Sequence, residues 1–100
     1  MSVEEKAGQV IQIGINAKFA NQDSEYFQAL KHDIVDNKVG GIIIFGAPMY
    51  ETVHLVNRMQ ELAKDPLLIS IDAETGVGMR FTEETNFPWN MAVAATRNPA

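Results

Sequence analysis

Apolar and polar positions along the chain switch between a helical and a strand period. Ser2 followed by Glu5 fits the S-x-x-E capping box, in which a serine hydroxyl and a glutamate carboxylate reciprocally satisfy backbone donors at a helix start. A short helix is expected to open the chain. "VIQIGI" at 10–15 sets Val10 beside the Ile11, Ile13, Ile15 series, a β-branched run with strand composition. Asp23 or Ser24 can cap a second helix, in which Phe27, Leu30 and Ile34 recur on one face, and residues 37–41 stop it. "GIIIF" predicts a strand over 42–45 whose unbroken apolar run suits cover on both faces. "APMYETVHLVNRMQELAKDP" predicts a third helix: Leu55, Met59 and Leu62 form one apolar line, Val53, Val56 and Ala63 widen it, and Pro66 forbids continuation. "LLISI" at 67–71 repeats the buried-strand pattern. Two such strands around an amphipathic helix make a βαβ unit, so the fold class is α/β with a parallel sheet. After Phe81 the periodicity fades, and a short helix is expected to begin near Trp89.

Length and composition narrow the function classes. One hundred residues allow one small domain, which buries about 60% of the surface its unfolded chain exposes. With 46% hydrophobic and 21% charged residues, the chain falls outside the disordered and membrane-embedded classes. A formal charge of −5 without a basic run argues against nucleic acid or an anionic membrane as partner. Cysteine is absent, which removes disulfides and thiolate metal sites. "MSVEEKAGQV" lacks the basic-then-apolar pattern of a signal peptide.

The chemistry concentrates in "LLISIDAETGVGMRF", residues 67–81, where an apolar strand ends on Asp72 and Glu74 and a glycine-punctuated loop closes with Arg80. Ligands of parallel α/β folds bind at the carboxyl ends of the strands, which makes Asp72 a candidate. In the plain structural reading the acids cap the loop or pair with Arg80. A dinucleotide fingerprint fails because Phe81 stands where the third glycine is required. A hard-metal site has only two local carboxylates, and His32 and His54 lie in predicted helices at an unrelated spacing, so no metal or cofactor is expected. As a glycosidase acid and nucleophile pair, Asp72 and Glu74 are poorly placed, since residues i and i+2 approach from one side. As a sugar anchor, a buried carboxylate accepts charge-assisted hydrogen bonds from neighbouring hydroxyls while Arg80 steadies it.

Four blocks then carry a family resemblance. "SVEEKAGQV" resembles the T-x-E-E-K-x-G-Q opening of the glycoside hydrolase family 3 amino-terminal domain, and "VGGIIIFG" resembles its second strand. "PLLISIDAETGVGMRF" resembles its P-L-x-I-x-x-D-x-E-G-G-x-V-x-R-F segment, and "NFPWNMAVAAT" the F-P-x-x-M-A-L-A-A-T that follows. The resemblance implies that residues 1–100 are an amino-terminal fragment of a TIM-barrel domain, its first three β/α units, within a retaining exo-glycosidase. It implies a carbohydrate partner, with Asp72 binding sugar hydroxyls, Arg80 closing the motif, and Glu74 typical of the N-acetylglucosaminidase branch. N-acetyl-β-hexosaminides are thereby favoured slightly over β-glucosides. The family's nucleophile and acid/base lie downstream of these blocks, so no catalytic residue falls in the chain and alone it is expected to be inactive. Thr75 departs from a usual glycine and Val77 from a frequent arginine. The rival is a noncatalytic α/β module that binds a sugar or associates with copies of itself. Met49, Met59, Met79 and Met91 are expected in packing roles, and Trp89 buried against the barrel.

Overall fold

Local chemistry starts the first three helices in the computed structural model, which describes residues 1–18, 20–46 and 48–98. Ser2 and Glu5 form the expected capping box at the head of α1, Val3–Gln9. Ser24 Oγ accepts from the Phe27 N–H and caps α2, Glu25–Val35. Pro48, with its pre-set φ, precedes α3, Met49–Leu62, and Ala47 at the head of the predicted segment lies outside the described residues. Between the helices run β1, Gln12–Ile15, β2, Gly41–Ile44, and β3, Leu68–Ile71. A single 3-10 turn, Val77–Met79, and a short α4, Asn90–Ala95, complete the chain.

The strands form one three-stranded sheet in the order β1-β2-β3, parallel throughout, as the βαβ reading requires. Register aligns Ile13, Ile42 and Ile69 in one row and Ile15, Ile44 and Ile71 in the next. Because side chains alternate along a strand, all six point to one face. Phe27, Leu30 and Ile34 from α2 and Leu55 and Met59 from α3 close over that face in a single core cluster.

Among the described residues no helix covers the opposite face. Gln12 lies along Gly41, whose Cβ would come within 3.0 Å of Gln12 Cγ, and its Oε1 accepts from Ser70 Oγ at 3.4 Å. The Phe45 ring covers Gly14, where a Cβ would sit 2.7 Å from Cε2 of the ring. The expectation that β2 and β3 are covered on both faces is therefore corrected: on this opposite face Ile43 and Ser70 are half-buried and Leu68 is exposed, while Ile71, at the edge of the core face, is exposed as well. Apolar runs report what a strand can bury, not how many layers lie within this length of chain.

Two further differences have local causes. Val10 is the C-cap of α1 and the Ile11 N–H closes its last turn on Gly8 O at 3.0 Å, so β1 starts only at Gln12 and both side chains stay exposed. Trp89 is the N-cap of α4 and is 54% exposed rather than buried. All described residues beyond Phe81 are exposed, Met91 included, because they run clear of the core. Accordingly the radius of gyration, 16.6 Å, exceeds the roughly 13 Å of a close-packed chain of this length. Met59 is fully buried, as expected, and Met79 half-buried, whereas Met49 is exposed.

Candidate functional site

Parallel register delivers all three strands to one end, where β3 hands over to Asp72 and β2 to Phe45. Past Asp72 the chain turns through Gly76, whose φ of 86° is open to glycine but strained for other residues. The 3-10 turn then brings Arg80 back: its N–H bonds to Val77 O at 3.0 Å, and Phe81 packs on the core behind it.

Arg80 spends its guanidinium on two strand ends. Nε donates to the Asp72 carbonyl, Nη2 to Asp72 Oδ2 at 3.2 Å, and Nη1 to the Phe45 carbonyl at 3.0 Å. The cation also lies 5.3 Å from the Phe45 ring centroid. The Arg80 side chain is 17% exposed and that of Asp72 is 59% exposed. The cation is thus the fixed member of the pair and the carboxylate the presented one, which replaces the expected buried carboxylate with a rim-exposed one. Among the described residues the Asp72 side chain takes a hydrogen bond at Oδ2 alone.

Glu74 points to a different partner. Its Oε1 accepts from Asn90 Nδ2 at 3.4 Å, and no ion pair joins it to Arg80. Of the three residues singled out by sequence, the fold brings Asp72 and Arg80 together and sends Glu74 to the start of α4. Sequence reasoning missed Phe45, whose carbonyl and ring both hold Arg80. Its position at the end of "GIIIF" on β2 was the available signal.

No group of three or more histidine, cysteine, aspartate or glutamate side chains among the described residues could hold a metal ion. His32 instead pairs with Asp36 at 2.7 Å. No helix among the described residues is long and apolar enough to cross a membrane. A cavity of about 360 Å³ lies between α2 and α3, lined by Lys18, Phe27, His54, Leu55 and Arg58, and is not bordered by Asp72, Glu74 or Arg80. We place the candidate site at the strand ends because charged groups converge there in a fixed geometry, whereas Lys18 and Arg58 at the cavity are occupied over the Tyr26 and Phe27 rings.

The model of the glycosyl hydrolase family 3 N-terminal domain matches residues 2–100. The chain belongs to glycosyl hydrolase family 3. Comparison with curated proteins gave no match. Membership makes this a glycoside hydrolase sequence with carbohydrate as its substrate class.

The family 3 blocks do separate physical work here. In the opening block, Glu5 binds Lys38 at 2.6 Å and Lys64 at 3.5 Å, drawing the loops before β2 and β3 together. Gln9 Nε2 donates to Lys38 O, and Gly8 lets α1 press on the same loop. That clasp lies at the amino ends of the strands, opposite Asp72 and Arg80. The opening block therefore stabilises the sheet, and the "DAETGVGMR" block, residues 72–80, supplies its polar rim.

Proposed function

We propose that the chain forms the first three β/α units of a barrel in a retaining exo-glycosidase that removes terminal nonreducing β-linked sugars. N-acetyl-β-hexosaminides are favoured over β-glucosides through Glu74. Asp72 is the sugar anchor: a rim carboxylate accepts hydrogen bonds from adjacent hydroxyls, each strengthened by its charge. Arg80 is the residue that keeps the carboxylate aimed. In the whole enzyme, cleavage is a double displacement through a covalent glycosyl intermediate, with nucleophile and acid/base supplied by residues other than these. The 100 residues alone are inactive in this reading.

The observation that carries the reading is the Arg80 fork, which ties Asp72 to the carboxyl end of a parallel sheet and leaves its carboxylate open. Among the described residues, two open sheet edges and a sheet face that no helix covers support the barrel part, since further strands and a filled interior would cover both. The test is hydrolysis by the full-length gene product of p-nitrophenyl N-acetyl-β-glucosaminide and p-nitrophenyl β-glucoside. Release from the first exceeding the second is expected, and release from neither contradicts the proposal.

The same edges favour a second reading, a noncatalytic module that associates with itself through β1 or β3. Light scattering on the isolated 100-residue chain bears on both. A stable, fully folded monomer counts against an incomplete barrel and against self-association alike.

A further inference from the structure

Thr75 is 2% exposed although it belongs to a rim loop. Its Oγ1 donates to Asn86 Oδ1 at 2.6 Å, and its carbonyl accepts from the Phe87 N–H at 2.8 Å. Adjacent glycines bring the two segments into register: a Cβ at Gly76 would lie 2.7 Å from Phe87 Cδ2, and one at Gly78 would lie 2.5 Å from Thr85 O. Residues 75–78 are thus laid against residues 85–87, and Glu74 reaches the same segment through Asn90. The segment from Thr82 onward is otherwise exposed, so these contacts are what hold it against the rim loop that carries Glu74.

The side chain at 75, not the backbone, makes this link specific. Non-glycine residues of positive φ among those described are Lys38 and Arg97, so Thr75 has an ordinary conformation that glycine would adopt equally well. Glycine would, however, remove the donor to Asn86 and loosen the torsions beside Glu74. A β-branched side chain with a hydroxyl does the opposite on both counts.

We propose that Thr75 is a positioning residue for sugar recognition, its hydrogen bond to Asn86 holding the Glu74 carboxylate at the rim where it accepts from a hydroxyl or acetamido N–H of the bound sugar. This rests on the exo-glycosidase reading and on Glu74 facing the sugar. Thr75→Val keeps the shape and loses the hydroxyl; Thr75→Ser keeps the hydroxyl.

The experiment is steady-state kinetics of the full-length gene product on p-nitrophenyl N-acetyl-β-glucosaminide, with melting temperature as a folding control. Thr75→Val and Asn86→Ala are expected to raise KM about tenfold at nearly unchanged kcat, the effect of one lost hydrogen bond, while Thr75→Ser stays within about twofold of wild type. In a Glu74→Gln background, Thr75→Val should add nothing further, because the group it positions is already altered. An unchanged KM in Thr75→Val, or a fall in kcat and melting temperature without a rise in KM, overturns the role. A wild type inactive on both glycosides instead removes the exo-glycosidase reading and this role with it, which separates the two failures.

Discussion

Arg80 grips Asp72 twice, at the backbone carbonyl through Nε and at Oδ2 through Nη2, 3.2 Å away. One planar group thereby fixes both the end of β3 and the carboxylate it presents. The third contact, to the Phe45 carbonyl, ties that arrangement to the neighbouring strand. A carboxylate on a free loop samples many directions, whereas this one is pre-aimed, which reduces the ordering cost of binding.

Arg80→Lys keeps the charge and loses the fork. A lysine ammonium cannot span two carbonyls and a carboxylate in one plane. With Asp72 free to turn, kcat/KM of the full-length enzyme should fall about 10–100-fold, the range associated with small misplacements of a reacting geometry. Kinetics near wild type in a well-folded Arg80→Lys variant would show that the fork does not matter.

Gly8→Ala reverses a familiar sign. In an open helix this exchange is favourable by about 1 kcal/mol. Here the new Cβ would stand 2.4 Å from Asn37 O and 2.6 Å from Lys38 O, both backbone atoms that cannot swing away. The expected outcome is a destabilisation of about 1–3 kcal/mol, measured by urea unfolding.

Acid should act through Glu5. The hydrogen bond from Lys38, then the Ser2 backbone N–H and the charges of Lys38 and Lys64, pull its carboxyl from 4.5 down to about 2. A carboxylate with a folded pKa below its unfolded one adds stability that is complete above about 4.5 and is lost as pH falls toward about 2. Glu5→Gln should therefore melt below wild type at neutral pH, and the two curves should converge between pH 4.5 and 2. A gap that is constant across that window would mean that Glu5 acts by packing alone.

Sequence reasoning reached the repeating units and the polar rim, and missed what lies between them. Phe27, Leu30 and Ile34 on α2 and Leu55 and Met59 on α3 announced their buried faces because a helix repeats the same face every three to four residues. Asp72 and Arg80 were legible as a charge cluster at a strand end. Their pairing follows from the turn at residues 77–80, and the Phe45 anchor comes from β2, a sequence separation of 35 residues. Such a contact leaves no periodic trace. Val10 and Ile11 misled for a related reason, since β-branched composition favours strand while the closure of α1 claimed both residues. Trp89 misled because a large apolar side chain was assigned to a core that does not extend past Phe81.

The most direct measurement is kcat/KM of Asp72→Ala in the full-length gene product on p-nitrophenyl N-acetyl-β-glucosaminide, alongside wild type. Removal of two charge-assisted hydrogen bonds, each worth about 1.5–3 kcal/mol, predicts a loss of at least about 100-fold at an unchanged melting temperature. A well-folded Asp72→Ala variant that hydrolyses this substrate at close to the wild-type rate would contradict the assignment of Asp72 as the sugar anchor.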